Sequence, residues 1–269
     1  MHRLLETARA AADAATHVHR RDFGAGLASA TRKARADYVS RTDLDAQEAA
    51  LDVIRRRHPD HLILAEESDE SVATQLARWD GRPLWIVDPL DGTANYLHGH
   101  PMHAASVAVA VDGAPAAGVV ACGSTGERWW AARGMGTFKN GRRVTVSEPC
   151  PLIDALVGTG FPFKRLDLLP DYLGQFERVL RSASGIRRGG SAALDLAYLA
   201  QGALDVFWEE ILMPWDFAAG MVLIQEAGGI VTGVGGDEPT LTEGPLRAAN
   251  SPRLLDELNA VLGTTADAD

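Results

Sequence analysis

Residues Leu84 to Thr93 read Leu-Trp-Ile-Val-Asp-Pro-Leu-Asp-Gly-Thr, and no other stretch constrains the fold so tightly. An apolar run of strand type stops on an acid. A second acid follows three positions later, and a Gly-Thr step then suits the opening of a helix. The pattern predicts a strand that delivers Asp88 and Asp91 into one pocket, with Pro89 stiffening the turn that also brings in the Leu90 carbonyl. Hard divalent cations such as Mg²⁺ are held by a few oxygen ligands of this kind, with waters and substrate phosphate completing the shell. The unpaired N–H groups and positive dipole end of the following helix suit a phosphate. A cation site and a phosphate site in one segment point to metal-assisted phosphoryl chemistry. The bland alternative is an Asp that only caps a helix.

Other acids stand in similar places. Glu66 and Glu67 follow the apolar run Leu62-Ile63-Leu64, Asp216 sits at the start of a long apolar helical pattern, and Asp43 follows Thr42 just before an amphipathic segment. Taken singly, each reads as a solvated residue or an N-cap. Together they fall at strand ends and helix starts, which is where open α/β sheets bind ligands.

Ala65-Glu66-Glu67-Ser68, Asp88-Pro89-Leu90-Asp91-Gly92-Thr93 and Pro214-Trp215-Asp216-Phe217-Ala218-Ala219-Gly220 resemble the signature segments of the inositol monophosphatase family. Gly160-Phe161-Pro162-Phe163-Lys164 and Gly190-Ser191-Ala192-Ala193-Leu194-Asp195-Leu196-Ala197 resemble its bacterial inositol-1-monophosphatase branch, and the likeness runs from about Asp37 to Pro252. The resemblance implies a five-layer αβαβα sandwich, two Mg²⁺ per chain with a third, weaker ion, sensitivity to Li⁺, and a homodimer. It also implies hydrolysis of small polyol phosphomonoesters, first among them myo-inositol 1-phosphate, by a metal-activated water.

Carried over position by position, the resemblance gives Glu66, Asp88 and the Leu90 carbonyl to the first Mg²⁺. Asp88, Asp91 and Asp216 go to the second, so that Asp88 bridges; Glu66 would take the third through water. Thr93 aligns with the catalytic threonine and Asp43 with its partner. Gly92 and Thr93 would hold phosphate oxygens, Asp91 and Asp216 would border the substrate, and Gly190, Ser191 and Ala192 align with the segment that contacts the sugar-alcohol hydroxyls. Glu209, seven residues before Asp216, aligns with the hydroxyl-binding glutamate, although Glu210 beside it leaves that choice open. Ala65 replaces a usual Gly, Ala94 replaces a second Thr, and the basic residue of the mobile loop is Arg32 or Lys33. Fructose-1,6-bisphosphate, histidinol phosphate, NADP and 3′-phosphoadenosine 5′-phosphate are rival substrates on the same fold. A regulatory interaction protein keeping a vestigial metal site is a rival of another class. His98, His100 and His103 raise a zinc alternative, but no cysteine or acid completes four ligands nearby.

The chain has 269 residues, 46% of them hydrophobic, enough for one large domain or two small ones. A net charge of −10 argues against nucleic acid or an anionic membrane surface as partner. An anionic substrate must then be drawn by local metal charge. Cys122 and Cys150 are the only cysteines, too few for a disulfide framework. The N-terminus lacks the apolar core of a signal peptide, and no run reaches the roughly 18 apolar residues of a membrane span. A cytoplasmic protein is expected.

Helical spacing runs through Leu4, Leu5, Ala8, Ala11, Ala12, Ala15 and Val18, and returns from Leu44 to Arg57. Asp22 to Ser40 reads as a mobile loop, or a hairpin once ordered. Strands are predicted at Leu62–Ala65, Leu84–Asp88, Ala104–Val111, Gly118–Ala121 and Arg128–Ala132, with a hairpin at Asn140-Gly141. Pro149-Cys150-Pro151 divides an N-terminal half, residues 1–148, carrying most metal ligands, from a C-terminal α/β half, residues 149–269, with Asp216 and the polyol segment. There the pattern predicts strand Ala155–Thr159, helices Leu169–Arg181 and Ser191–Gln201, strand Leu204–Trp208, helix Trp215–Ala227, strand Ile230–Thr232 and a last helix, Arg253 to Leu262, capped by Ser251-Pro252.

Overall fold

A computed structural model describes residues 1–263 apart from 25, 27–29, 35, 36, 69 and 235, with backbone only at 32–34 and 37. A seven-stranded sheet runs in the order β3 (Leu62–Ala65), β4 (Leu84–Asp91), β5 (Ala104–Val111), β6 (Ala114–Ala121), β7 (Arg128–Ala132), β8 (Gly136–Lys139) and β9 (Arg142–Val144). Only the β3–β4 pair is parallel. A five-stranded sheet has the order β11 (Gly185–Arg187), β10 (Leu156–Thr159), β12 (Val206–Leu212), β14 (Gly244–Ala249) and β13 (Ile230–Thr232).

Side-chain alternation along the strands sorts the helices into layers. Trp85 and Val87 of β4 pack on α1 (His2–Asp22) and α2 (Arg41–Arg57), while Leu84 and Ile86 point the other way. There they meet α6 (Ala192–Ala200) and α7 (Pro214–Glu226), whose far side packs on Phe207, Leu246 and Ala248 of the second sheet. Beyond it, α5 (Leu169–Ser182) and α8 (Pro252–Leu262) cover Val157, Val206 and Trp208. The result is the αβαβα sandwich implied by the signature segments. The middle position of α7 explains its composition: with sheets on both sides, Phe217 through Ile224 are all buried and no polar face is needed.

Close approach in that middle layer depends on Gly118 of β6. A Cβ there would lie 2.7 Å from both Cα and O of Ala219, and backbone cannot step aside. Gly118→Ala is therefore expected to cost about 1–3 kcal/mol. Thermal or urea unfolding checks this, and unchanged stability would mean that α7 does not sit so near the sheet.

Two strands extend past their predicted ends through bulges. In β4 the register passes from Asp88↔Ser106 to Asp91↔Ala104, so that Pro89 and Leu90 stand opposite Ala105 alone. Acids three apart on a regular strand would face opposite ways. The extra residue turns both to one side, and Pro89, which has no N–H to donate, lies inside the irregularity. In β12 the register passes likewise from Glu209↔Leu246 to Leu212↔Gly244. The Asp22–Ser40 segment contains a hairpin, β1 (Ala30–Ala34) with β2 (Asp37–Ser40). The Asn140-Gly141 turn is as predicted, with φ of 48° and 82° between β8 and β9. No described helix is long and apolar enough to cross a membrane.

Candidate active site

A cleft of about 510 Å³ opens where β3, β4, β10 and β12 end and where α4 (Thr93–Leu97), α6 and α7 begin. Among the described residues, Asp88, Asp91 and Asp216 each place one carboxylate oxygen within 4.8 Å of the others. Each is held by its other contacts. Asp88 Oδ1 accepts from the Leu90 N–H at 2.9 Å. Asp91 Oδ2 accepts from Ser191 Oγ at 2.5 Å and the Ala193 N–H at 2.8 Å, which leaves Oδ1 for a ligand. Asp216 Oδ2 accepts from the Met213 N–H at 2.7 Å, fixing the first turn of α7. Glu66 follows β3, its N–H donating to Val87 O at 3.1 Å, and its carboxyl is hydrogen-bonded to that of Asp88.

Burial, and then the neighbouring carboxylates, push three acids upward: Glu66 to about 8, Asp216 to about 7 and Asp88 well above the usual range; burial raises Asp91 as well, opposed by its bonds from Ser191 and Ala193. Such crowding is resolved by protons or by cations. A set made only of hard oxygens, with the Leu90 carbonyl on the cleft wall, fits Mg²⁺.

Beside the acids, Thr93 Oγ1 lies 2.9 Å from Asp43 Oδ1 and 3.0 Å from the Leu90 carbonyl, to either of which its single hydrogen can go. Asp43 is buried at the third position of α2, where Oδ2 accepts from Ser40 N (2.8 Å) and Ser40 Oγ (2.5 Å). The same capping box that starts α2 thus orients the partner of Thr93. Burial raises the Asp43 carboxyl, opposed by the bonds from Ser40 and Thr93. Gly92 opens α4 at φ +84°, and a Cβ there would meet Met102 O at 2.8 Å. Glycine is required at that corner.

The far wall is formed by Gly190, Ser191, Ala192 and Glu209. Gly160 leaves the space that the Glu209 carboxylate fills, whereas Glu210 acts electrostatically on Arg247, behind the sheet. Of the two acids, Glu209 is the one in the cleft. Three contributors carried no predicted role. Asn95 Nδ2 donates to Met102 O (2.7 Å) and Gly189 O (3.0 Å), tying α4 to the turn before α6. Asp195 is buried in the cleft wall and raised to about 8, by burial first and then by Asp91. Arg188 lies over Phe161 and Phe163 at 5.6 and 5.0 Å, so that pair supports a cation at the cleft and is more than packing. Asp195 was within reach of pattern reasoning, one helical turn after Ser191. The Asn95 and Arg188 contacts join distant segments and left no local signal. The side chains of Arg32 and Lys33 lie outside the described residues.

The histidines do not converge as zinc ligands would. His98 and His100 are exposed, with His98 Nδ1 2.8 Å from Ala94 O, whereas His103 is fully buried against His19 and Tyr96. Burial lowers His103 from 6.5 to about 4. Below pH 6.5 the unfolded chain takes up a proton that the folded ring refuses. The stability contributed by the neutral ring is therefore complete above 6.5 and is lost as pH falls towards 4, by up to about 1.4 kcal/mol per pH unit. His103→Phe should lose less stability than the parent between those pH values, and parallel urea-midpoint curves would refute this.

A model of the inositol monophosphatase family matches residues 1–265. The chain is 42% identical over 231 residues to the inositol-1-monophosphatase of Rhizobium meliloti, covering 86% of this chain and 85% of that one. It is 39% identical over 246 residues to the Nus factor SuhB of Pseudomonas aeruginosa, covering 90% and 89%. Among solved structures, the extragenic suppressor protein suhB from Bartonella henselae superposes with a TM-score of 0.88 at 37% identity over 97% of this chain and 98% of that one. The inositol monophosphatase from Anabaena gives 0.83 at 35% identity over 96% and 94%. The chain therefore belongs to the inositol monophosphatase family, whose phosphatase members support a phosphomonoesterase.

Proposed function

We propose that this protein hydrolyses small polyol phosphomonoesters, myo-inositol 1-phosphate first among them, with Mg²⁺ as cofactor. The observation that carries the reading is the convergence of Asp88, Asp91 and Asp216 within 4.8 Å beside the Thr93–Asp43 hydrogen bond. Glu66, Asp88 and the Leu90 carbonyl would hold one Mg²⁺, Asp88, Asp91 and Asp216 a second, and Glu66 a weaker third through water. When bound, Mg²⁺ polarises the phosphate, lowers the pKa of water and offsets the carboxylate charge. With its hydrogen directed at Asp43 Oδ1, Thr93 Oγ1 turns lone pairs to the cleft and orients the attacking water in line with phosphorus; as that water gives its proton to Oγ1, Thr93 passes its own proton to the Asp43 carboxylate, so the hydroxyl stays neutral. The N–H groups of Gly92 and Thr93 hold the equatorial oxygens, and Asp216 orients the water that protonates the leaving alkoxide.

Gly190, Ser191, Ala192 and Glu209 bind the polyol. Glu209→Ala is expected to depress kcat/KM for inositol 1-phosphate by about 10²-fold or more and to spare a simple aryl phosphate, because only the polyol carries hydroxyls that lose their acceptor when that carboxylate is removed. Equal losses on both esters would place Glu209 in support of the metal site instead.

A homodimer in the cytoplasm belongs to the same proposal. Phosphate release from a panel of phosphomonoesters, including fructose 1,6-bisphosphate, histidinol phosphate, NADP and 3′-phosphoadenosine 5′-phosphate, with Mg²⁺ and with chelator, tests it directly. Chelator-sensitive release that is fastest for inositol 1-phosphate supports the reading. Relatives named Nus factor SuhB favour a second one, a regulatory interaction protein that retains the metal site, which absence of release from every ester would leave in possession.

A further inference from the structure

The bulge in β4 removes Pro89 from the strand pairing, since the register moves from Asp88↔Ser106 directly to Asp91↔Ala104. A buried carbonyl taken out of its ladder needs a donor from elsewhere. Here the donor is a side chain from 70 residues earlier: His19 Nε2, near the end of α1, lies 2.7 Å from Pro89 O. A carbonyl can only accept, so Nε2 carries the hydrogen. Nδ1 is buried and has no hydrogen-bond partner among the described residues. His19 is fully buried, and burial lowers its pKa to about 3, which keeps the ring neutral.

The surroundings are built around this ring. A Cβ on Gly123 would stand 2.8 Å from His19 Cβ and 3.2 Å from Nδ1, so glycine leaves the ring its room on that side. His103 meets it edge-on at 5.6 Å between centroids, and Tyr96 Oη donates to the His19 carbonyl at 2.9 Å. Burying an imidazole with one nitrogen unpartnered is costly, and an apolar residue would fill the same space without that cost. What the imidazole adds is one directed bond to the carbonyl between Asp88 and Leu90.

We propose that His19 is a positioning residue for the metal site: by holding the Pro89 carbonyl it fixes the turn that presents Asp88, the Leu90 carbonyl and Asp91 together. The assignment rests on the metal-site reading of the proposed function, but it concerns a residue that touches neither ion nor substrate. Outer partners of this kind typically change metal affinity by about 10–100-fold when removed.

Isothermal titration of Mg²⁺ into chelator-stripped protein tests it, with folding checked by circular dichroism. His19→Leu, which lacks a donor, should bind Mg²⁺ at least ~10-fold more weakly than the parent. His19→Gln, whose amide nitrogen reaches the Nε2 position, should stay within about threefold of it. If His19→Leu does not fold, His19→Asn replaces it, because its shorter arm stops at the Nδ1 position. A folded donor-less variant with parental affinity overturns the proposal, and so does equal weakening by the variants that keep and lose the donor. A parent protein that binds Mg²⁺ but releases no phosphate defeats the proposed reaction and leaves the positioning role standing. One that binds no Mg²⁺ defeats both.

Discussion

Asp88→Asn is expected to lower turnover by about 10³-fold or more, while making the chelator-stripped protein more stable to heat. Asp88 is 1% exposed and crowded by Glu66, Asp91 and Asp216. Asn has the same shape and keeps an oxygen for the Leu90 N–H, so the fold loses no hydrogen bond there. In the proposed site four carboxylates would balance two dications, and Asp88 would be the one carboxylate serving both. Removing that charge leaves their repulsion under-compensated. Without metal the sign reverses, because a buried carboxyl beside three others favours the neutral form, and the amide is always neutral. Melting curves with and without Mg²⁺ separate the two effects. Near-parental turnover in folded Asp88→Asn would sink the two-metal reading. Death of the enzyme together with a lower melting temperature in chelator would mean that Asp88 serves the fold.

Thr93→Ala should reduce kcat by about 10²–10⁴-fold, the range of a positioned proton acceptor, with Mg²⁺ affinity changed little. The hydroxyl lies 2.9 Å from Asp43 and 3.0 Å from the Leu90 carbonyl, and the proposed ion ligands are carboxylates and that carbonyl. Thr93→Ser, which keeps the hydroxyl, should recover most of the rate. Asp43→Asn combined with Thr93→Ala should be no slower than Thr93→Ala alone, since residues acting as a unit are not additive. A large loss of Mg²⁺ affinity with kcat intact at saturating Mg²⁺ would show the role to be misassigned.

The elements whose signal is local were legible in the sequence. The apolar runs of β4, β5 and β7, the Asn140-Gly141 turn and the Ser-Pro start of α8 follow from spacing and turn chemistry alone. The layer order was not; it came from the family's signature segments. β14 escaped because Pro245 stands second in a six-residue strand, and the bulge in β12 between Glu209 and Leu212, opposite Pro245, is what accommodates it. The short α3 (Val72–Leu76) sets only Val72 and Leu76 against the core and buries neither fully, too few positions to show a helical period. In the site, ligand types and order were readable, but the reason Asp88 and Asp91 face one way was not. A one-residue bulge is a property of two paired strands, and one strand's sequence does not display it. His19 is a like case, since nothing in α1 says that a carbonyl 70 residues on will need a donor.

The sandwiched position of α7 has a consequence for synthesis on the ribosome. The seven-stranded sheet is complete once Val144 has emerged, but the face bearing Leu84, Ile86 and Trp129 is covered chiefly by α6 and α7, the second of which ends at Glu226. Roughly 80 further residues must be translated first, roughly 4–16 s at ordinary elongation rates. Throughout that interval a broad apolar sheet face stands open beside the tunnel exit, which makes this half of the chain a client for chaperones that bind nascent polypeptides. A chain cut short before α6 should accordingly aggregate rather than fold.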